Sequence, residues 1–273
     1  MWRSWQAEMI KLAKRPAAWL LLVLAQLLAL LFTYLFPYAS YAGGTEGPNS
    51  DRTLPMLLPD QLVGNSLGGL PVFLGAIVLI LGVLAVGGEY GWGTWKTLLT
   101  QGPTRLAAYG GKLLALAVAT LVIVASLFAT GAATSVVIAS VESQPVAWPS
   151  LVDLATGLGA GWLIATMWAA LGALLAIALR GVALPIGLGL VWLLAVQNLL
   201  AVIAAPLLDW VAEAQKGLPG PNAGSLAAAL GATGDTPGVA AVVGGGQAAL
   251  VIAGYLVAFV AAGGLLLHRR DIL

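Results

Sequence analysis

Gly87-Gly-Glu-Tyr-Gly-Trp-Gly-Thr-Trp-Lys-Thr-Leu-Leu-Thr-Gln-Gly-Pro-Thr-Arg105 joins two long apolar runs and carries most of the side chains available to a soluble partner. The runs it joins, at about 70–87 and 113–140, are continuous and long enough to cross a hydrocarbon core, for which a helix needs roughly 20 apolar residues. Within the loop, the Thr94 hydroxyl can accept from an unpaired backbone N–H and so cap a short helix. Gly102-Pro103 stops that helix just after Gln101. Trp95, Leu98 and Leu99 then share one side at three- and four-residue spacing, while Lys96 and Thr100 point elsewhere. A two-turn amphipathic helix held between two spans is a handle for another protein.

The rest of the chain extends the same pattern. Of 273 residues, 60% are hydrophobic and only 8% charged, and the mean hydropathy is +0.97. So few charges cannot cover a water-soluble domain of this size. Six runs qualify as spans, at about 17–36, 70–87, 113–140, 151–179, 182–206 and 243–267. None alternates as a barrel strand would, and an isolated span must satisfy its own backbone hydrogen bonds. The expectation is an all-α integral membrane protein with six transmembrane helices in a single domain, 1–273.

The first run follows Arg3, Lys11, Lys14 and Arg15 and precedes Ser40-Tyr41-Ala42, which mimics a small-residue cleavage site. Its apolar core is nevertheless longer than the ~7–15 residues of a leader peptide, so retention as a span is expected. There are no cysteines, which excludes disulfides, thiolate metal sites and cysteine nucleophiles.

Charge sets the orientation. Arg3, Lys11, Lys14, Arg15, Lys96, Arg105, Lys112, Arg180, Arg269 and Arg270 fall on one side of the membrane, and only Arg52 and Lys216 on the other. The acids divide oppositely: Glu8, Glu89 and Asp271 against Glu46, Asp51, Asp60, Glu142, Asp153, Asp209, Glu213 and Asp235. The basic side is cytoplasmic by the positive-inside rule. Both termini and the 88–112 loop are therefore expected in the cytoplasm, with the protein a multi-pass component of the cell membrane. The near-neutral net charge of +1 suggests no nucleic-acid partner.

In residues 1–16, Trp2, Trp5, Met9 and Leu12 recur at helical spacing between basic flanks, which predicts an amphipathic helix in the membrane interface before Pro16 turns the chain into the bilayer. The 37–69 segment reads as loop from its Pro, Gly, Asn and Ser, although Leu54-Pro-Met-Leu-Leu-Pro-Asp60 is apolar enough to dip into the membrane surface. Gly68, Gly75 and Gly82 recur every seven residues, a face for close helix packing, and Gly157 and Gly161 repeat the device. Pro185, Gly187 and Gly189 suggest a deformable start to the fifth span. Between spans five and six, 207–242 carries an amphipathic helix opposing Leu207, Leu208 and Trp210 to Asp209 and Glu213, broken at Gly217-Leu-Pro-Gly-Pro221. Ser225 is placed to cap a second short helix, so two small extracytoplasmic helices are expected there.

Ser126, Thr130 and Thr134 form a hydroxyl stripe, and Gln197 and Asn198 are the polar pair of span five. All five could line a translocation path, but small polar residues in spans more commonly bond to neighbouring helices. No Asp, Glu, Lys, Arg or His sits in the middle of a span, which disfavours a self-sufficient ion-coupled carrier. The only histidine, His268, lies at a span edge, so intramembrane proteolysis lacks its groups. Tyr109-Gly-Gly-Lys-Leu113 lacks the leading Gly and the hydroxyl of a phosphate loop. Energy must therefore come from elsewhere, or nothing is pumped.

With these features the chain resembles the permease subunits of type 2 ABC transporters. The resemblance rests on Glu8-Met-Ile-Lys11, Glu89-Tyr-Gly-Trp-Gly-Thr94, Leu98-Leu99, Pro103, Arg105, Gly111-Lys112 and Arg269-Arg-Asp-Ile272. It implies that residues 94–101 are a coupling helix seated in a separate ABC ATP-binding subunit, docked through Glu89, Thr94, Trp95, Leu98, Leu99 and Arg105. It implies that residues 1–15 are an elbow helix and that 207–242 holds the outer re-entrant helices. A second permease copy, giving a homodimer, or a homologous permease would complete the pair across the lipid bilayer. ATP and magnesium would belong to the partner ATPase, with no cofactor and no catalysis in this chain. The long acidic first outer loop departs from the family pattern. Function is then export of an amphiphilic or hydrophobic substrate; the alternative is a non-transporting scaffold or assembly subunit that recruits soluble factors through the 88–112 loop.

Overall fold

The computed structural model describes residues 2–44, 51–91, 93–94 and 104–269, and every regular element among them is helical. Helix α1 spans Trp2–Lys14. Arg15 after it is extended, at φ −83° and ψ 118°, because the ring of Pro16 disfavours a helical conformation in the preceding residue. Pro16 itself opens α2 (Pro16–Gly43), where its missing N–H would have had no acceptor.

Helix α2 is longer than the 17–36 expected and runs straight through Pro37. The turn leading to that proline, Leu30–Leu35, is widened to a π-helix. A proline leaves the carbonyl four residues back without its donor and crowds it, and opening the turn relieves both. Helix α7 (Ala183–Leu207) repeats the arrangement, with π segments at Val191–Val196 and at Leu200–Ala204, the latter just before Pro206. The deformable region is thus not the start of α7. Ala183–Leu190 is regular α-helix, because Pro185 lies in the first turn, where no intrahelical acceptor is required.

Part of the loop expected over 37–69 is helical as well. Leu54–Leu57 and Pro59–Gln61 form 3₁₀ turns started by prolines, followed by α3 (Leu62–Leu67). Leu54 and Leu57 are buried with Tyr34 and Ile138, so the apolar pair is held by protein packing. The remaining elements are α4 (Phe73–Gly91), α5 (Arg105–Val141), α6 (Leu151–Leu179), α8 (Asp209–Gln215), α9 (Pro219–Ala229) and α10 (Gly245–Arg269). Six of them, α2, α4, α5, α6, α7 and α10, are 19 to 37 residues long and apolar enough to cross a membrane. The fold is an all-α, six-span membrane bundle.

Helix α4 is the most buried span and packs chiefly on α6. The contact is close because glycines on both helices admit the other backbone: Gly82 lies against the Ala169 carbonyl and Gly172 against that of Leu79. Gly75 in turn makes room for Trp168, and Gly157 and Gly161 face Val63 and Leu67. Gly75 and Gly82 thus form a packing face, whereas Gly68, expected to continue it, lies in the turn before α4 against Thr236.

The bundle has two chemically distinct ends. At one, α1, the end of α4, the start of α5 and the end of α10 converge. At the other, the segments that precede α3 and follow α9 are pinned by the buried Arg52, whose guanidinium donates to Asn65 (3.2 Å), Thr233 (3.0 Å) and Thr236 (2.9 Å). Burial pushes its pKa below the ordinary arginine value, against the opposing charge of Asp235. Ser225 does not cap α9. It sits within that helix, where its hydroxyl donates to the Ala240 carbonyl (2.9 Å) and accepts from the Val242 N–H (3.0 Å). Proline supplies the helix start instead, at Pro219.

Candidate functional site

The end where α1, α4, α5 and α10 meet contains an ionic cluster. Lys112 in the second turn of α5 is 1% exposed and donates to Glu8 Oε2 of α1 (2.8 Å) and Glu89 Oε1 of α4 (2.9 Å). A third bond reaches the Ala85 carbonyl at 3.3 Å, so the ammonium is compensated by charge and by backbone. Lys11, one turn along α1, bridges the same two acids at 2.9 Å each. Thr94 donates to the other oxygen of Glu89. Two acids and two lysines leave no net charge, which is what allows the group to be buried.

Local sequence explains why these residues meet. Glu8 and Lys11 are three apart and lie on the same helix face, next to the buried Leu12. Gly111 lets that face approach: a Cβ there would sit 2.8 Å from Ser4 Cβ and 2.9 Å from the Trp5 amide nitrogen. Trp2 and Trp5 pack with ring centroids 4.5 Å apart at the start of α1. Arg15 closes the corner by donating to the Leu84 carbonyl at 3.0 Å. Burial alone would lower the pKa of Lys11, but its hydrogen bonds to Glu8 and Glu89 and their charges raise it above the ordinary value.

The far side of the loop is anchored too. Thr104 caps α5, its hydroxyl accepting from the Ala107 N–H at 3.2 Å. Arg105 donates to the Leu267 and His268 carbonyls, both at 3.4 Å, at the C-terminal end of α10, where cations are favoured. Both sides of the loop are thereby fastened to the bundle, by Glu89 and Thr94 before it and by Thr104 and Arg105 after it.

Of the six residues expected to dock a partner, Glu89, Thr94 and Arg105 are at this junction, although each bonds within the chain. Trp95, Leu98 and Leu99, with the rest of the expected 94–101 helix, lie outside the described residues. The five path candidates do not come together. Ser126 and Thr130 face α2, where Gln26 donates to Ser126 (2.7 Å) and accepts from Thr130 (2.7 Å). Thr134 donates back to the Thr130 carbonyl (2.8 Å). Gln197 instead borders Gly220, and Asn198 donates within its own helix to the Leu194 carbonyl (2.8 Å).

Several participants escaped the list of candidate site residues, Lys11 among them. Glu8 and Lys112 occur in the family-like motifs, yet only tertiary packing pairs them with Glu89. Gln26 had a visible signal, being the only amide in an apolar run of about 20 residues. Thr104 was readable as a helix cap directly after Gly102-Pro103.

A family model described as ABC-2 family transporter protein matches residues 5–196. No curated protein matches the chain. The matched region contains α1, the ionic cluster, the intervening loop and the first four spans, and reaches into α7. The chain therefore belongs to the ABC-2 family of transporter proteins and is a permease, the membrane component of an ABC transporter.

Proposed function

We propose that the chain is the membrane-spanning subunit of an ATP-driven exporter of an amphiphilic or hydrophobic substrate, driven by a separate ATP-binding subunit through residues 94–101. The observation that carries this reading is the position of Glu89. It stands directly before the loop and is bonded at once to α1 through Lys11, to α5 through Lys112, and to Thr94. A force on the loop would therefore be delivered to three helices together. The free energy would come from different affinities of the loop helix for the two nucleotide states of the partner. The basic excess at this end supports its cytoplasmic location, with both termini inside. The absence of Asp, Glu, Lys, Arg and His from the middle of every span among the described residues supports a neutral or apolar path.

Two permeases and two ATPases would form the working assembly. Changing Leu98 and Leu99 together to Asp tests the docking. Co-purification with the ATP-binding subunit should be lost, while the chain itself remains membrane-inserted and monodisperse. Intact co-purification with full substrate-stimulated ATP hydrolysis would refute the assignment. A scaffold would instead co-purify without any effect on hydrolysis.

A further inference from the structure

A cavity of ≈ 380 Å³ lies at the end of the bundle away from the ionic cluster, between α7 and the segments 215–221 and 234–242. It falls within the size range of small-ligand sites. Its polar side chains are Gln197, Asn198, Gln215 and Thr236, all uncharged, and no Asp, Glu, Lys or Arg lines it. Arg52, which donates to the lining Thr236, is also bonded to Thr233 and does not itself line the cavity. One side of the cavity is formed by Ala201 and by Val202, which is 72% exposed on the outward, apolar flank of α7.

Gln197 is the most buried of these polar side chains. It is 6% exposed, and its carbonyl oxygen is buried with no hydrogen-bond donor among the described residues. A buried acceptor without a donor is costly, so the side chain is retained here against a penalty. Gly220 is what permits it, since a Cβ at that position would collide with the carboxamide. The helix is widened on both sides of Gln197, at Val191–Val196 and Leu200–Ala204.

We infer that this cavity binds an uncharged amphiphile, its hydrogen-bonding head between Gln197, Asn198 and Thr236 and its apolar part leaving along Ala201 and Val202. A charged head would be desolvated against neutral walls with no counter-ion and is rejected on that ground. The inference deepens the proposed export function by naming the substrate class, and it rests on that reading.

The test uses the full chain alone in nanodiscs of zwitterionic lipid, with three photo-reactive alkyl probes that differ only in the head: glucoside, sulfate and trimethylammonium. The glucoside should label peptides containing 197–202 and 234–240 about tenfold more than either charged probe, the preference that a modest desolvation penalty produces. Excess unlabelled alkyl glucoside should abolish that labelling, and Ala201→Trp should reduce it severalfold by filling the mouth. Equal labelling by all three probes, labelling that does not saturate, or labelling elsewhere overturns the proposal. Should Ala201→Trp fail to fold, the competition measurement alone decides. Because no ATPase is present, failure here leaves partner docking untouched, and loss of docking in the Leu98/Leu99 variant leaves the labelling untouched.

Discussion

Lys112 Nζ stands 2.8 Å from Glu8 Oε2, across 104 residues of sequence, and the bond joins the start of the third span to a helix that precedes the first. Lys112 is almost fully enclosed, and Glu89 at 3% exposure is nearly so. Such a group stabilises only as a complete set. Removing one member leaves its partner charged and desolvated, which is more harmful than removing the pair.

Lys112→Met should therefore cost about 3–5 kcal/mol of stability, the usual range for orphaning a buried charge. Equilibrium unfolding in mixed detergent micelles measures it. Adding Glu8→Gln should restore about 1–3 kcal/mol, since Glu8 and Glu89 would otherwise share Lys11 alone and the second change leaves Lys11 and Glu89 as a neutral pair. If the single variant is as stable as the unaltered chain, the cluster does not hold the junction together.

Lys11 gives the junction a pH dependence of known sign. Its pKa is raised in the folded chain, so its contribution is fully present below the ordinary lysine value of 10.5 and is lost as pH rises through the higher folded value. The stability difference between the unaltered chain and Lys11→Met should stay constant from neutral pH to near 10.5 and shrink above it. A difference that already shrinks between pH 6 and pH 9, about one to four units below the lysine range, would assign the effect to another group.

Gln26→Leu separates packing from transport. The variant removes both bonds from α2 to α5, but Ser126 keeps its bond to the Ile123 carbonyl (2.7 Å) and Thr130 its bond to that of Ser126 (2.9 Å). With those acceptors intact, the loss should be about 0.6–1.7 kcal/mol, as for other interhelical hydrogen bonds in membranes. Substrate-stimulated ATP hydrolysis in the complete assembly should be unchanged at a temperature where the variant remains folded. A large loss of stimulation there would place the hydroxyl stripe in the path.

Membrane class, span number and span type were legible from the chain alone because each depends on local composition. A run that cannot meet water must close its own hydrogen bonds, whatever it packs against, and the six apolar runs do so in the structure. Glycine spacing was legible for a similar reason: Gly75 and Gly82 mark one helix face whichever helix fills it. The extent of the helices was less so. Pro37 reads as a helix breaker, yet a widened turn before it lets α2 continue to Gly43.

The partners of the polar residues were decided only by the tertiary structure. Glu8, Glu89 and Lys112 each look like ordinary span-edge charges, and their meeting depends on Gly111 admitting α1 to the face of α5. Ser126 and Gln197 likewise look equally suited to a path, but α2 meets the first and Gly220 of α9 meets the second. Hydropathy acts residue by residue along the chain and can be read there. Pairing of buried polar groups is a property of two surfaces brought into contact, and a single strand of letters does not carry it.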